Sequence, residues 1–305
     1  MGTRTIRNLL PTVVLAVSSL LTLAPTAVGQ QAPTASKVRV ILTSRWNRPS
    51  PDPVGLDYHR ARGRLLVVDS EVDETPRWAR ANAWIATTRG RVTRSWSLAR
   101  FSIEPTDIAF LNKGTVFIVD DNKDRIFRLR RGPDATWGTR DDNVRSFSTR
   151  PFGSRDPEGL EAAKGSLWVT DGNAARVYRI LPGPNGIFNG YGPEGDDVVR
   201  SFGTLPLGLR DPEDLAYDGQ THLLMLISRL DDVIVRTNLR GRLVDEIDLS
   251  SFGLINPAGI TIGAGSSDPS ARHVYISDRG IDNDVENGGR PLENDGRIFE
   301  FALSG

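Results

Sequence analysis

Acidic side chains recur at two kinds of position in this 305-residue chain. One set lies in a four-residue phrase that begins with proline: Asp107, Glu158, Glu213 and Asp214. The other set ends short apolar runs: Asp69, Asp120, Asp171 and Asp278. If the fold brings these carboxylates to one place, they either repel one another or bind a cation. Ligands that are all oxygen suit calcium or magnesium rather than zinc.

A third acidic group lies in a Gly/Asn-rich loop over residues 278–296. Its candidate ligands are Asp282, Asp284 and Glu286, at alternate positions along the chain. The loop is not an EF-hand, because Asn287 stands where that loop needs glycine and Pro291 stiffens the backbone. We predict calcium binding with another geometry, and a solvated loop is the alternative.

Signatures of other chemistries are missing from the sequence. There is no nucleophile elbow, zinc-protease helix, phosphate-cradling loop or dinucleotide-binding turn. The three histidines, His59, His222 and His273, are far apart and have no metal-ligand spacing. A catalytic triad is therefore not expected, and no organic cofactor is predicted.

The elements that must position the carboxylates form a repeat. The phrases begin at Pro53, Pro105, Pro157, Pro212 and Pro257, at spacings of 52, 52, 55 and 45 residues. Each phrase opens a series of short β-branched and aromatic runs separated by Gly, Pro, Asn and Asp, which is typical of strands and turns. Four strands in each unit of about fifty residues predict a β-propeller.

The ends of the repeat region indicate how the ring closes. The last repeat ends after its third strand, at Phe301, and an orphan strand-like segment, 38–41, precedes the first repeat. We predict an all-β, single β-propeller of five four-stranded blades, in which this N-terminal strand completes the last blade and covers its edge. A sixth, degenerate blade is the alternative.

Two motifs resemble known propeller families. The segments 120–127 and 171–178, each an Asp followed by a loop and Arg-Ile/Val-aromatic, resemble NHL-type repeats. The Asp156-Pro-Glu-Gly-Leu segment followed by 167–171 resembles the secreted phytase-like propellers, some of which have esterase-like activity. The NHL resemblance implies that the strand-end aspartates cap backbone amides in the loop or pair with the arginine that follows, here Arg125 and Arg176, as Asp readily does in turns.

A resemblance to gluconolactonase-like propellers concerns the two glutamates. In that family an acid directly before the Gly-Leu pair is a metal ligand. Glu158 holds this position, and Glu213 holds it with Asp214 in place of the glycine. The resemblance implies that Glu158 and Glu213 bind a divalent cation at the top of the channel, where the inner strands begin.

The N-terminus and the composition suggest an exported protein. Residues 1–29 have a basic start, an apolar run too short to span comfortably, and small residues before Gln30, as in a signal peptide. We predict a linker over 30–36, the propeller over 37–305, a secreted or extracytoplasmic location and no membrane span in the mature form. Equal counts of 38 basic and 38 acidic residues argue against a nucleic-acid partner, and the absence of cysteine excludes disulfides. We expect a monomer.

Two functions fit these patterns. The first is an extracellular binding or scaffold protein, supported by calcium, which holds a small molecule, carbohydrate or protein ligand on the top face. The alternative is a hydrolase of phosphoesters or lactones that depends on a divalent metal, with its site at the top of the central channel. The missing catalytic motifs favour the first.

Overall fold

The protein is described from a computed structural model. It covers residues 1–2, 32–112, 114–281 and 293–304, and the compact unit that contains the strands begins at Ala32. The predicted signal peptide and the candidate ligands Asp282, Asp284 and Glu286 lie outside the described residues. None of the helices in the described part is long and apolar enough to cross a membrane.

Within the described ranges, twenty strands form five four-stranded antiparallel sheets, which are the five predicted blades. Blade one contains β2 (Pro53–His59), β3 (Arg64–Asp69), β4 (Ala83–Thr87) and β5 (Val92–Trp96). Blade two contains β6 (Asp107–Asn112), β7 (Thr115–Asp120), β8 (Arg125–Arg130) and β9 (Asn143–Ser148). Blade three contains β10 (Pro157–Ala163), β11 (Ser166–Asp171), β12 (Arg176–Leu181) and β13 (Val198–Gly203). Blade four contains β14 (Pro212–Tyr217), β15 (Leu224–Ser228), β16 (Asp231–Thr237) and β17 (Leu243–Asp248).

Blade five closes the ring. Its sheet has the order β1 (Thr34–Leu42), β20 (Arg297–Ser304), β19 (Arg272–Asp278) and β18 (Pro257–Ala264). Val40 pairs with Phe299 and Ile41 with Ile298, so the predicted closure is confirmed. The N-terminal strand begins at Thr34, inside the segment that we predicted to be a linker.

Helical structure is limited to single 3-10 turns in the described residues, and these turns connect strands or blades. They span Thr43–Arg45, Arg60–Arg62, Val72–Glu74, Arg150–Phe152, Leu205–Leu207 and Ser250–Phe252.

Hydrophobic side chains fill the spaces between neighbouring blades. Second strands such as β7 are buried along their whole length, because each blade packs against a neighbour on both faces. Third strands such as β8 contain both buried and partly exposed residues. Five apolar clusters result, one at each interface; Trp96 and Phe127, for example, share the cluster between blades one and two. This packing holds the five inner strands β2, β6, β10, β14 and β18 around one channel.

Candidate functional site: the mouth of the central channel

The strand-end aspartates are buried against backbone amides. Asp171 accepts hydrogen bonds from the amides of Arg155, Asp156 and Ala174, at 3.0, 3.3 and 2.7 Å. The other three bond backbone amides of nearby loops in the same way: Asp69, Asp120 and Asp278. These four carboxylates hold the top loops in place, and none of them lines the cavity at the channel mouth.

The predicted pairing of these aspartates with a following arginine occurs in blade five. There Arg297 Nη2 donates to Asp278 Oδ2 at 2.9 Å. In blades two and three the corresponding arginines donate to serine hydroxyls instead, Arg125 to Ser146 and Arg176 to Ser201.

One equivalent position in each inner strand forms the waist of the channel. Its residues are Gly55, Asp107, Gly159, Asp214 and Gly259. A Cβ at Gly55 would lie 2.3 Å from Asp107 Cα, and a Cβ at Gly159 would lie 2.4 Å from Asp214 Oδ1. The two glycines therefore make room for the two aspartates, which are 2% exposed.

The waist aspartates join blades to one another. Asp107 accepts the amides of Leu56 in blade one and Leu160 in blade three, at 2.9 and 2.6 Å. Asp214 accepts the amide of Ile260 in blade five at 2.6 Å. Burial raises the pKa of Asp107 to about 7 and that of Asp214 well above its usual value. We predicted that both aspartates would lie on the top face and that Asp214 would be a metal ligand. They lie deeper, because they occupy the glycine position of the phrase and that position points into the channel.

Glu158 and Glu213, one residue earlier in the phrase, line a cavity of about 830 Å³ above the waist, which we call the mouth. Asp121, Asp156 and Glu158 each place one carboxylate oxygen within 4.8 Å of the others there. The mouth also receives Glu213. Its remaining polar residues are Ser70, Glu71, Glu74, Glu104, Thr106, Asn122, Asn173, Asp211, Arg229 and Arg279.

Burial and mutual repulsion raise the pKa values of the mouth carboxyls. The pKa of Glu158 is well above its ordinary value, first because burial disfavours the charged form and then because Glu213 is near. The pKa of Glu213 rises to about 8 through burial and through Asp211. Burial also raises the pKa of Asp121 to about 6 and that of Asp156 above its ordinary value.

Two arginines, Arg229 and Arg279, offset part of this negative charge, and Arg279 pairs with Glu71. Arg229 Nε lies 2.7 Å from Asp211 and 3.5 Å from Glu213. No arginine or lysine among the described residues forms an ion pair with Glu158, Asp121 or Asp156. These three carboxylates therefore repel one another when they are ionised, and a cation between them would relieve that repulsion.

The sequence alone did not identify most of the charged residues that surround Glu158 at the mouth. Asp156, Asp211, Asp121 and Arg229 were not selected as candidates. A signal existed for two of them, because Arg155-Asp156-Pro157-Glu158 recurs as Arg210-Asp211-Pro212-Glu213. Gly172 lies between these two acids, since a Cβ there would be 2.5 Å from Asp211 and 2.9 Å from Asp156.

The lower end of the channel contains a second polar cavity, of about 270 Å³. Asp57 accepts the amide of Phe110 at 2.6 Å, and Glu161 accepts the amide of Tyr217 at 3.3 Å. Burial and the nearby Asp57 raise the pKa of Glu161 to about 8. Arg60 and Lys164 line the same cavity.

Comparisons with known proteins identify the fold. The sequence matches no family model and no curated protein. A glutaminyl cyclase of Myxococcus xanthus superposes with a TM-score of 0.56 at 12% identity, over 89% of this chain and 97% of that protein. A luciferin-regenerating enzyme gives 0.51 at 11% identity, over 88% of this chain and 95% of that protein.

The PQQ-bound aldose sugar dehydrogenase of Streptomyces coelicolor gives a TM-score of 0.50 at 16% identity, over 89% of this chain and 98% of the other. At such low identity these likenesses show the architecture alone. The resemblance to NHL-type and phytase-like proteins is therefore supported as far as the β-propeller, and the phytase-like family is not confirmed.

Proposed function

We propose that the protein binds a divalent cation at the mouth, with Asp121, Asp156 and Glu158 as ligands and Glu213 beside them. The observation that carries the proposal is the convergence of three carboxylate oxygens within 4.8 Å. All three donors are hard oxygens, which calcium prefers, and Asn122 and Asn173 add amide oxygens to the same cavity.

Electrostatics support a cation at this position. Without one, the carboxyls at the mouth reduce their repulsion by keeping protons, which the raised pKa values of Glu158 and Glu213 express. A divalent ion favours the ionised forms of both groups and takes the place of those protons. Calcium binding should therefore release protons and tighten as the pH rises from 5 to 8.

A cation site of this kind supports the role of a binding protein. A cation held by a few protein ligands keeps coordination positions for a ligand, and a cavity of about 830 Å³ admits a small polar molecule or the end of a glycan. Arg229 and Arg279 at its wall would contact anionic or hydroxyl groups of that ligand. The extracytoplasmic location and the monomeric state remain predictions from the sequence.

Hydrolysis of a phosphoester or lactone is the second candidate function. The observation that favours it is Glu213, whose pKa of about 8 suits a proton donor or acceptor near neutral pH. Its neighbour Arg229 would stabilise negative charge that develops on the substrate. A bound cation would supply Lewis-acid polarisation of the substrate oxygen.

The test of the cation site is calcium-dependent melting. Calcium should raise the melting temperature of the wild type, because a ligand that binds only the folded state stabilises it by mass action. Glu158→Gln should abolish the increment. Glu246→Gln, which removes one exposed carboxylate from blade four, should preserve it and serves as the matched control.

Two other outcomes would overturn the proposed site. An unchanged increment in Glu158→Gln, together with its loss in the double variant Asp282→Ala/Asp284→Ala, would move the calcium site to the 278–296 loop. No increment in the wild type, with no metal found by elemental analysis, would remove the cation altogether. A panel of phosphoesters and lactones with and without chelator separates the binding role from the hydrolase.

A further inference from the structure

An arginine-rich groove lies between blades three and four, on the face opposite the mouth. It encloses about 450 Å³, and no carboxylate is among the described residues that line it. Its cationic residues are Arg179, Arg200 and Arg240, and its apolar walls are Trp168, Phe202 and Leu239. None of the three arginines forms an ion pair with an acid of the described residues. Unlike the mouth, this groove is cationic.

The groove contains a like-charge pair in register. Arg179 on β12 pairs directly with Arg200 on β13. Residues directly opposite one another on neighbouring strands are close enough to interact, and like charges there are destabilising. An anion between or beside the two guanidinium groups would remove this repulsion.

Blades four and five have an opposite charge at the equivalent position. In blade four Arg236 is opposite Asp245, and Arg236 Nη2 lies 2.6 Å from Asp245 Oδ2. In blade five Glu300 is opposite Arg39, with 3.8 Å between Arg39 Nε and Glu300 Oε2. Blade three has an arginine at both places, as blade two does with Arg128 opposite Arg145, so in these two blades the facing strand supplies no counter-charge.

Trp168 adds an independent observation. It lines the groove, is only 1% exposed, and its indole Nε1 has no hydrogen-bond partner in the part of the chain described. Buried donors are nearly always paired, so this one requires an acceptor. The Arg179 guanidinium lies 4.9 Å from the Trp168 ring centroid, and its Nε donates to Ser166 Oγ at 2.9 Å. The guanidinium is thus held in place over the Trp168 ring.

We propose that this groove binds a small organic phosphate, with the phosphate on Arg179, Arg200 and the Trp168 N–H and the apolar body against Phe202 and Leu239. A phosphate group accepts two parallel hydrogen bonds from a guanidinium through two of its oxygens, and its double charge matches two arginines that lack an acidic partner among the described residues. Arg240, exposed on the β16–β17 turn, lies at the rim and attracts the anion. The site is independent of the cation site at the mouth.

The experiment is a calorimetric titration with phenylphosphonate, whose carbon–phosphorus bond resists hydrolysis. EDTA is present throughout, so a cation at the mouth contributes nothing. Phenylphosphonate should bind the wild type more tightly than inorganic phosphate does, and benzyl alcohol at the same concentration should give no heat of binding. It should also shift the Trp168 indole N–H resonance, which is assigned with Trp168→Phe. Arg200→Gln should weaken binding about tenfold, as for the loss of one charge-assisted hydrogen bond.

Two variants test whether phenylphosphonate binding depends on the groove itself, and not on the total charge or the stability of the protein. Arg242→Gln removes an exposed arginine near Arg240 that does not line the groove, and it should bind as the wild type does. Arg200→Asp recreates the opposite-charge pair of blade four; it should keep or raise the melting temperature while losing phenylphosphonate. Equal weakening in Arg242→Gln and Arg200→Gln would overturn the proposal, as would a wild type in which phenylphosphonate has no more effect than chloride at matched ionic strength.

Discussion

The strand-end aspartates and the mouth carboxylates come from the same repeat, yet their surroundings differ. Asp171 lies at the end of a second strand and accepts three backbone amides. Glu158, at the start of the inner strand of the same blade, accepts no hydrogen bond among those of the described residues, and other acids surround it. Backbone amides occupy the lone pairs of the first carboxylate, whereas the second has a raised pKa and needs a proton or a cation.

This difference teaches which acids of a propeller are available to a ligand. A carboxylate whose lone pairs are occupied by amides contributes to the fold, and its removal leaves buried donors unpaired. A carboxylate with few donors weakens the fold when it is ionised, and its removal should cost little unless a ligand depends on it. The two groups should therefore respond differently to substitution and to calcium.

The largest effect should come from Asp171→Ala. It leaves the amides of Arg155, Asp156 and Ala174 without their acceptor, which should lower the free energy of unfolding by about 3 kcal/mol, since each unpaired buried donor costs about 1–3 kcal/mol and part of that is regained from water. Urea denaturation in EDTA measures the change. Glu158→Gln is the control and should stay within about 0.5 kcal/mol of the wild type. Equal losses in both variants would remove the distinction between the two groups.

A smaller effect should appear in the pH dependence of Glu213. Its folded-state pKa of about 8 lies above the ordinary glutamate value of 4.5, so its protonated form is the one that the fold favours. The stability that this gives is fully present below pH 4.5 and is lost as the pH rises through 8.

In EDTA, Glu213→Gln should therefore raise the free energy of unfolding at pH 9 by on the order of 2 kcal/mol. It should change little at pH 5. Urea denaturation at both values checks this. With saturating calcium the benefit at pH 9 should disappear, and a benefit that persists would place the cation away from Glu213.

The smallest effect should come from the lower cavity. Glu161 also has a pKa of about 8, but it accepts the Tyr217 amide, and Arg60 partly offsets its charge. Glu161→Gln can keep that hydrogen bond and should raise the free energy of unfolding by about 1 kcal/mol at pH 9 and leave it unchanged at pH 5. Thermal melting at both pH values, with and without calcium, measures it. A calcium-dependent change would mean that the two ends of the channel are coupled.

The fold was predictable because its signal is local and repeated. The proline phrases recur at nearly constant spacing, and every second strand is an apolar run, so the blade count needed no knowledge of contacts. Ring closure was predictable for the same reason: the segment around Val40 has the fourth-strand pattern that the last repeat lacks.

The site was predictable only in part. Glu158 and Glu213 were selected through a family resemblance, and the structure brings both to the mouth. Asp121 and Asp156 were missed, because they belong to loops whose place around the channel depends on all five blades. Asp107 was predicted to lie on the top face. It lies instead in the waist of the channel, where the absence of a side chain at Gly55 leaves space for it.

The sequence by itself determined the number of blades, the order of their strands and the strand that closes the ring, because these follow from residue patterns that repeat within about fifty positions. The tertiary structure decided which carboxylates become structural and which remain available. That outcome depends on burial and on distances between residues such as Asp121 and Glu158, which are 37 positions apart in the sequence and converge in the folded ring. Burial and Coulomb repulsion act on such pairs through space, and it is these forces that turn an ordinary glutamate into a candidate ligand.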